Sequence, residues 1–367
     1  MNFHPEEPYN DLPDLPPKAA LESPKLLKAA IAAARQLAEL KGSGEGLPNQ
    51  TVLVNVLVLQ EAKLSSEIEG VVTTTDRLYR AIAVESENND PHTKEVLRYR
   101  DAIWHGVTRL RENRPLNTVL YQEIVQVIKQ NQLGVRKTGG IALADERTGN
   151  VVYTPPTGEN LIRAKLQKLD DFLNGDHGID PLIVMALGHY QFEAIHPFAD
   201  GNGRTGRILN ILYLLQQNLL HEPVVYLSRY IIQNKVDYYR LLREVTENQN
   251  WEDWVLFMLE AVRKSSADAL VQVRQIKELM TAMKRQYRTK AEKIYRKELL
   301  ELLFDQPYCT ARFVVERGIA KRQTASKYLQ TLADVGLLKA MKIGRETVYV
   351  NHQFLNLLSQ PPQSDSA

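Results

Sequence analysis

The segment His196-Pro-Phe-Ala-Asp-Gly-Asn-Gly-Arg-Thr-Gly-Arg207 gathers an imidazole, a carboxylate, three glycines and two arginines within twelve residues. Such a loop suits phosphate. Glycines at 201, 203 and 206 allow the backbone to come close and to adopt positive φ, so that successive amides turn inward around an anion. Arg204 and Arg207, three residues apart, project to one side of a helical turn and clamp phosphate through their forked donors. His196, read as a neutral imidazole near its unperturbed pKa, can take a proton from an incoming hydroxyl. Asp200 offers a single hard oxygen ligand, enough for Mg2+ when phosphates supply the others.

The elements that must position these groups are two helices. The apolar run from Pro181 through His189 to Ile195 predicts one, and Ile208-Leu-Asn-Ile-Leu-Tyr-Leu-Leu predicts a second that starts at the arginines. The glycines therefore sit at a helix N-terminus, where unpaired amides and the helix dipole favour an anion. A P-loop is excluded, because its Lys-Ser/Thr pair and preceding strand are missing. His189, Glu193 and His196 share a helical face at i, i+4 and i+7, a spacing compatible with a metal site. They lack the HExxH pattern, so His189 reads as a packed helix residue.

With these residues in view, His196-x-Phe198-x-Asp200-Gly-Asn-Gly-Arg204-x-x-Arg207 resembles the HxFx(D/E)GNGRxxR signature of Fic-domain proteins in every fixed position. Upstream, Ser65-Ser-Glu-Ile-Glu69-Gly70 is similar to the (S/T)xxxE(G/N) inhibitory motif of one class of that family; alone it also reads as an ordinary helix end with glycine at C′. The stretch from Gly139 to Pro156 predicts a hairpin around Asp145–Asn150, matching the family's flap, which aligns a target segment by strand addition. Asn234 to Leu242 resembles the family's helix beside the nucleotide base, with Tyr239, or else Tyr238, against adenosine.

The resemblance implies a protein adenylyltransferase (an AMPylator, hence a nucleotidyltransferase) that moves AMP from ATP to a Tyr, Thr or Ser hydroxyl of a target protein, or of itself. His196 would be the catalytic base and Asp200 the Mg2+ ligand. Gly201, Asn202, Gly203, Thr205 and Gly206 would cradle the phosphates, Arg204 would hold the β-phosphate side and Arg207 the γ-phosphate. Phe198 would wedge the loop into the core. Glu69 would inhibit by pairing with Arg207, and in some relatives such a residue supports AMP removal instead. Other nucleotide donors occur in the family.

The expected fold is mainly α: a Fic helical core with a β-hairpin flap, plus a C-terminal winged-helix domain. We divide the chain into a helical N-terminal region carrying the inhibitory motif (1–110), a catalytic core (111–265), a polar linker helix (266–296) and a winged helix (297–360). In the last, Arg322, Gln323, Ser326 and Lys327 stand where DNA contacts would arise. Lys284, Arg285, Arg288, Lys290, Lys293, Arg296 and Lys297 make a basic run that reads as a solvated face or a nucleic-acid patch. The competing function is therefore a DNA-binding regulator whose core senses nucleotide.

A formal net charge of +2 selects no partner class, and the lone Cys309 excludes an internal disulfide framework. The proline-rich segment from Met1 to Pro17 has no apolar core and is expected to lie extended over a surface. Gly42-Ser-Gly-Glu-Gly46 follows a helical stretch rather than a strand, so it is read as a loop, not a dinucleotide fingerprint. With no signal peptide and no membrane span, the expected setting is cytoplasmic, and a homodimer is expected.

Overall fold

The structure, a computed structural model, describes residues 3–43, 50–84, 90–137, 139–145 and 148–360. The core is helical. Its N-terminal part comprises α1 (Pro24–Ser43), α2 (Gln50–Ile68), α3 (Thr75–Ala83), α4 (Pro91–Arg111) and α5 (Thr118–Lys129). A two-stranded hairpin follows, β1 (Leu143–Ala144) and β2 (Val151–Tyr153), antiparallel with Leu143 opposite Tyr153. Then come α6 (Glu159–Asn174), α7 (Pro181–Ile195), α8 (Asn202–Gln216), α9 (Ser228–Gln233), α10 (Lys235–Asn248) and α11 (Trp251–Lys290).

Two helices lie at the centre. In α7 nearly every side chain from Leu182 to Ile195 is buried, and in α8 the same holds from Arg204 to Leu214. A helix that is apolar all round belongs inside, wrapped by amphipathic neighbours. Asp180 starts α7 by accepting from the Leu182 amide, with Pro181 in the first turn. Trp254 of α11 donates its indole N–H to the Ala186 carbonyl at 2.8 Å, which locks α11 onto α7.

The C-terminal unit contains α12 (Lys297–Asp305), β3 (Tyr308–Cys309), α13 (Ala311–Glu316), α14 (Arg322–Asp334), β4 (Lys339–Ile343), β5 (Glu346–Val350) and α15 (His352–Ser359). Its strands form an antiparallel sheet in the order β3-β5-β4. β3 and α15 are additions to the expected layout. The unit is seated on the core: α12 packs against α2, and Asn55 of α2 donates to Asp305 at 2.7 Å.

Two expectations about organisation are corrected. The boundary at 265 falls inside α11, a single helix of 40 residues. Its exposed face is charged, which gives the polar look of 266–290, but Ala269, Leu270, Val273, Ile276, Met280, Met283 and Tyr287 carry a buried stripe to its end. The proline-rich arm does more than lie over a surface. Tyr9 donates its amide to the Thr154 carbonyl at 2.9 Å, Thr154 Oγ1 donates to the Pro5 carbonyl, and Leu12 is 2% exposed. The arm therefore braces the hairpin. Of Gly42 to Gly46, only Gly42 and Ser43 fall among the described residues, at the end of α1.

Candidate active site

The site forms where α7 stops. His196 is the C-cap of α7 and takes the left-handed conformation, φ 47° and ψ 60°. A non-glycine residue there costs about 1 kcal/mol and needs its surroundings to hold it. Arg136 does so. Its Nε donates to the His196 carbonyl at 2.7 Å, its guanidinium also reaches the Ile195 and Pro156 carbonyls, and its amide donates to the Pro197 carbonyl at 2.9 Å. One buried arginine thus ties the segment that follows β2 to the backbone of the turn at His196. Tyr153 adds a second tie, its hydroxyl donating to the Ala194 carbonyl at 2.8 Å.

Phe198 is fully buried against Phe192, as expected of a wedge. Asn202 also braces the loop itself. Its side chain, 2% exposed, accepts from the Phe198 amide at 2.9 Å and donates to the Phe198 carbonyl at 2.8 Å. These two bonds shape the loop from within, and the backbone amide of Asn202 is left to face an anion. Thr205 likewise buries its hydroxyl, so only its backbone belongs to the loop.

Gly201 alone of the three glycines has positive φ, +84°, and caps α8. The first amide of α8 to find its helical carbonyl is that of Thr205, bonding to Gly201 at 3.0 Å. The amides of Asn202, Gly203 and Arg204 therefore point out of the helix start, as an anion requires. Gly203 and Gly206 are helical, which corrects the expectation of positive φ. They are glycines because neighbours come close: a Cβ on Gly203 would stand 2.5 Å from Glu69 Oε1, and one on Gly206 2.5 Å from Glu193 Oε1 and 3.1 Å from Phe192. Gly206→Ala is accordingly expected to cost about 1–3 kcal/mol through overpacking, read as a lowered midpoint of denaturant unfolding.

Both arginines are buried and paired. Arg207, its side chain 1% exposed, donates to Glu69 Oε1 at 2.7 Å, to the Ser65 carbonyl at 3.0 Å and through Nε to Ser65 Oγ at 2.8 Å. Ser65 in the last turn of α2 and Glu69 in the turn directly after it, four residues apart, together hold one guanidinium. Gly70 closes the turn after α2 at φ +76°. Burial opposes Glu69's charge, but Arg207, Arg204 and Lys235 outweigh it and hold its pKa below the usual carboxylate range. Arg204 pairs with Glu95 of α4. Asp200 keeps 58% of its side chain exposed beside the loop, and Lys129 and Arg204 hold its pKa down against partial burial.

The expectation of an unperturbed histidine is also corrected. Burial of the ring, with Arg136 beside it, pushes the His196 pKa down to about 4. Its Nδ1 is enclosed while the residue as a whole is only half-buried, so Nε2 is the nitrogen placed to take a proton. His189 is a packed residue: its Nε2 meets the Tyr238 hydroxyl at 2.9 Å, and burial and Arg207 push its pKa to about 3. Since α7 ends at Ile195 and His196 turns away, the three residues do not converge, and among the described residues no group of three His, Cys, Asp or Glu is placed to hold a metal. Of the two tyrosines on α10, Tyr238 is 1% exposed and belongs to the core, whereas Tyr239 is 44% exposed, with Lys235 over its ring.

Models of known families match three successive parts of the chain. They are the Fic/DOC family N-terminal region over residues 27–108, the Fic/DOC family over 115–214, and the C-terminal domain of protein adenylyltransferase SoFic-like proteins over 279–354. The chain belongs to the Fic/DOC family. The second match spans the whole signature loop, and the first spans Ser65 and Glu69. Among curated relatives, the protein adenylyltransferases Fic of Drosophila willistoni and Drosophila melanogaster are each 30% identical over 112 residues, 30% of this chain. The match spans only 21% of each fly protein.

Solved structures agree on the fold. A Fic family protein from Desulfovibrio desulfuricans aligns over 92% of this chain and 98% of its own, with TM-score 0.54 and 18% identity. A Fic domain containing signaling protein from Bacteroides thetaiotaomicron covers 66% of this chain and 97% of its own, with TM-score 0.53 and 18% identity. Fic-1 from C. elegans covers 69% and 74%, with TM-score 0.51 and 22% identity. This is therefore a mainly helical Fic fold with small antiparallel sheets.

Sequence reasoning missed Arg136, Glu95, Lys129 and Glu61. Glu61 of α2 is 1% exposed, accepts from the Tyr99 hydroxyl at 3.1 Å and from the Ser228 amide at 3.1 Å, and burial raises its pKa. It fastens α2 two turns before Glu69.

Proposed function

We propose that this chain is a self-inhibited protein adenylyltransferase. The observation that carries the reading is the Glu69–Arg207 pair at 2.7 Å, placed by two helices beside a loop of unpaired amides and an open imidazole. Nε2 of His196 accepts the proton of a target hydroxyl as its oxygen attacks the α-phosphorus of ATP; the new O–P bond forms while the bond to pyrophosphate breaks. Amides of residues 202–204 face the phosphate oxygens, and Arg204 and Arg207 neutralise the developing charge. Asp200 is exposed and beside the loop, and so fits a cation whose other ligands come from phosphate. When bound there, Mg2+ would supply charge neutralisation on the phosphates. Glu69 holds Arg207 away from the γ-phosphate, and Tyr239, the more exposed of the two α10 tyrosines, is the candidate ring for the base.

The target segment would align on β2, next to the backbone that the N-terminal arm already braces. No described helix is long and apolar enough to cross a membrane. Label from the α-position of ATP should appear on protein in the presence of Mg2+, and should require both an intact His196 and the release of Glu69. Bound nucleotide without label in any variant would refute the enzyme.

The depressed imidazole pKa sets a pH dependence. A base with pKa about 4 stays unprotonated through neutrality. For a variant lacking Glu69, kcat/KM is expected to hold level on its acid side down to about pH 5 and to fall as pH drops through about 4. The profile should be taken with Mg2+ saturating, so that the nucleotide does not titrate in the same window. An acid limb near 6.5, the ordinary histidine value, would contradict the assignment.

A second reading concerns the C-terminal unit. Arg322, Gln323, Ser326 and Lys327 on α14 are all exposed, which supports nucleic-acid contact by a winged helix. Binding that falls steeply with salt, without label transfer, would favour a regulator over an enzyme.

A further inference from the structure

Four charged side chains from the loop and three helices close a ring beside the phosphate site. Arg204 of α8 pairs with Glu95 of α4. Glu95 pairs with Lys129 of α5 at 3.2 Å, and Lys129 pairs with Asp200 at 2.5 Å. Asp200 returns to Arg204 at 3.6 Å. Cations and anions alternate, so the ring is neutral as it stands. Lys129 occupies the last turn of α5, where the negative end of the helix dipole also favours an ammonium. Its stem lies across the glycine that starts α8: a Cβ on Gly201 would stand 3.7 Å from Lys129 Cγ and Cδ and 2.9 Å from Val125 Cγ2. The head group is thereby fixed over Asp200, the most exposed member of the ring.

We propose that Lys129 is the resident counter-ion of Asp200, and that a divalent cation reaches Asp200 only by exchange with the Lys129 ammonium, which then rests on Glu95 alone. The inference rests on the reading of Asp200 as the cation's protein ligand. An ammonium already at 2.5 Å from Oδ2 takes up the carboxylate's charge and repels a second cation brought to the same group. Glu95 lies within 3.2 Å of the same Nζ, so the displaced head group keeps a partner without leaving its place on Gly201. Lys129 is thus a positioning residue. It holds Asp200 and the start of α8 in shape without a cation, and it makes cation binding depend on the extra negative charge that nucleotide phosphates bring.

The test is Mn2+ binding, followed by electron paramagnetic resonance, to a Glu69→Gly protein carrying an ATP analogue with a methylene bridge between the α- and β-phosphorus atoms. Adding Lys129→Met should tighten Mn2+ binding about tenfold, Lys129→Arg should leave it weak, and Asp200→Ala should weaken it and abolish the effect of Lys129→Met. Unchanged or weaker binding in Lys129→Met, with Asp200→Ala still weakening it, overturns the exchange but spares Asp200 as the ligand. Mn2+ affinity that ignores Asp200→Ala overturns both.

Discussion

Glu69→Gly is expected to raise AMP transfer by roughly 10- to 100-fold. Hydrogen bonds to a charged partner contribute about 1.5–3 kcal/mol, and every 1.4 kcal/mol is a factor of about ten in a population. In the proposed inhibition Glu69 competes with the γ-phosphate for the same guanidinium, so its removal would return that free energy to the productive pose. Arg207 does not collapse in the variant, because Ser65 still accepts from it through both its carbonyl and its hydroxyl. Its lost partner is replaced only when nucleotide binds. ATP should therefore raise the thermal midpoint of Glu69→Gly by more than that of the wild type. Equal transfer rates in the two proteins would sink the inhibitory role.

His196→Ala in the Glu69→Gly background is expected to lower transfer by about 10²- to 10⁴-fold, the range that a positioned general base supplies. The loss should fall on kcat, with nucleotide affinity close to that of the parent, since the phosphate site is built from α8 amides and arginines that do not touch the imidazole. The backbone around the histidine should survive the change. Arg136 grips the carbonyls of residues 195, 196 and 197 rather than the ring, so the left-handed turn keeps its ties. A variant that loses nucleotide binding along with transfer would show that the ring shapes the loop instead of accepting a proton.

The site was legible where its parts are contiguous and obscure where the fold assembles them. His196, Asp200, Arg204 and Arg207 stand within twelve residues, and Ser65 and Glu69 stand four residues apart at the end of α2, so type and spacing single them out as candidates. Lys129 and Glu95 each look like an ordinary charge on an amphipathic helix. Only the crossing of α4, α5 and α8 turns them into a ring. Arg136 sits in an irregular stretch with no pattern around it, and its contacts are all with backbone, which leaves no trace in side-chain types. The glycines show a different limit. A residue without Cβ serves positive φ at 201 and close approach at 203 and 206, and a sequence does not distinguish the two needs.

The C-terminal boundary failed for a related reason. From Ser265 onward the exposed face of α11 is charged enough to hide the apolar stripe beneath it, so in sequence a continuous strut of about 60 Å looks like core plus linker. β3 pairs only two residues with β5, too short a run to stand out.

That seating has a practical consequence for anyone who trims the chain. α2 presents Ser65 and Glu69 to the loop, and α12 is packed against the same helix, with Asn55 bonded to Asp305. A version cut before α12 would strip the cover from α2 and leave Asn55 without its partner. Its basal rate would then measure how loosely a denuded helix sits, and the inhibition proposed for Glu69 would look weaker than in the intact protein.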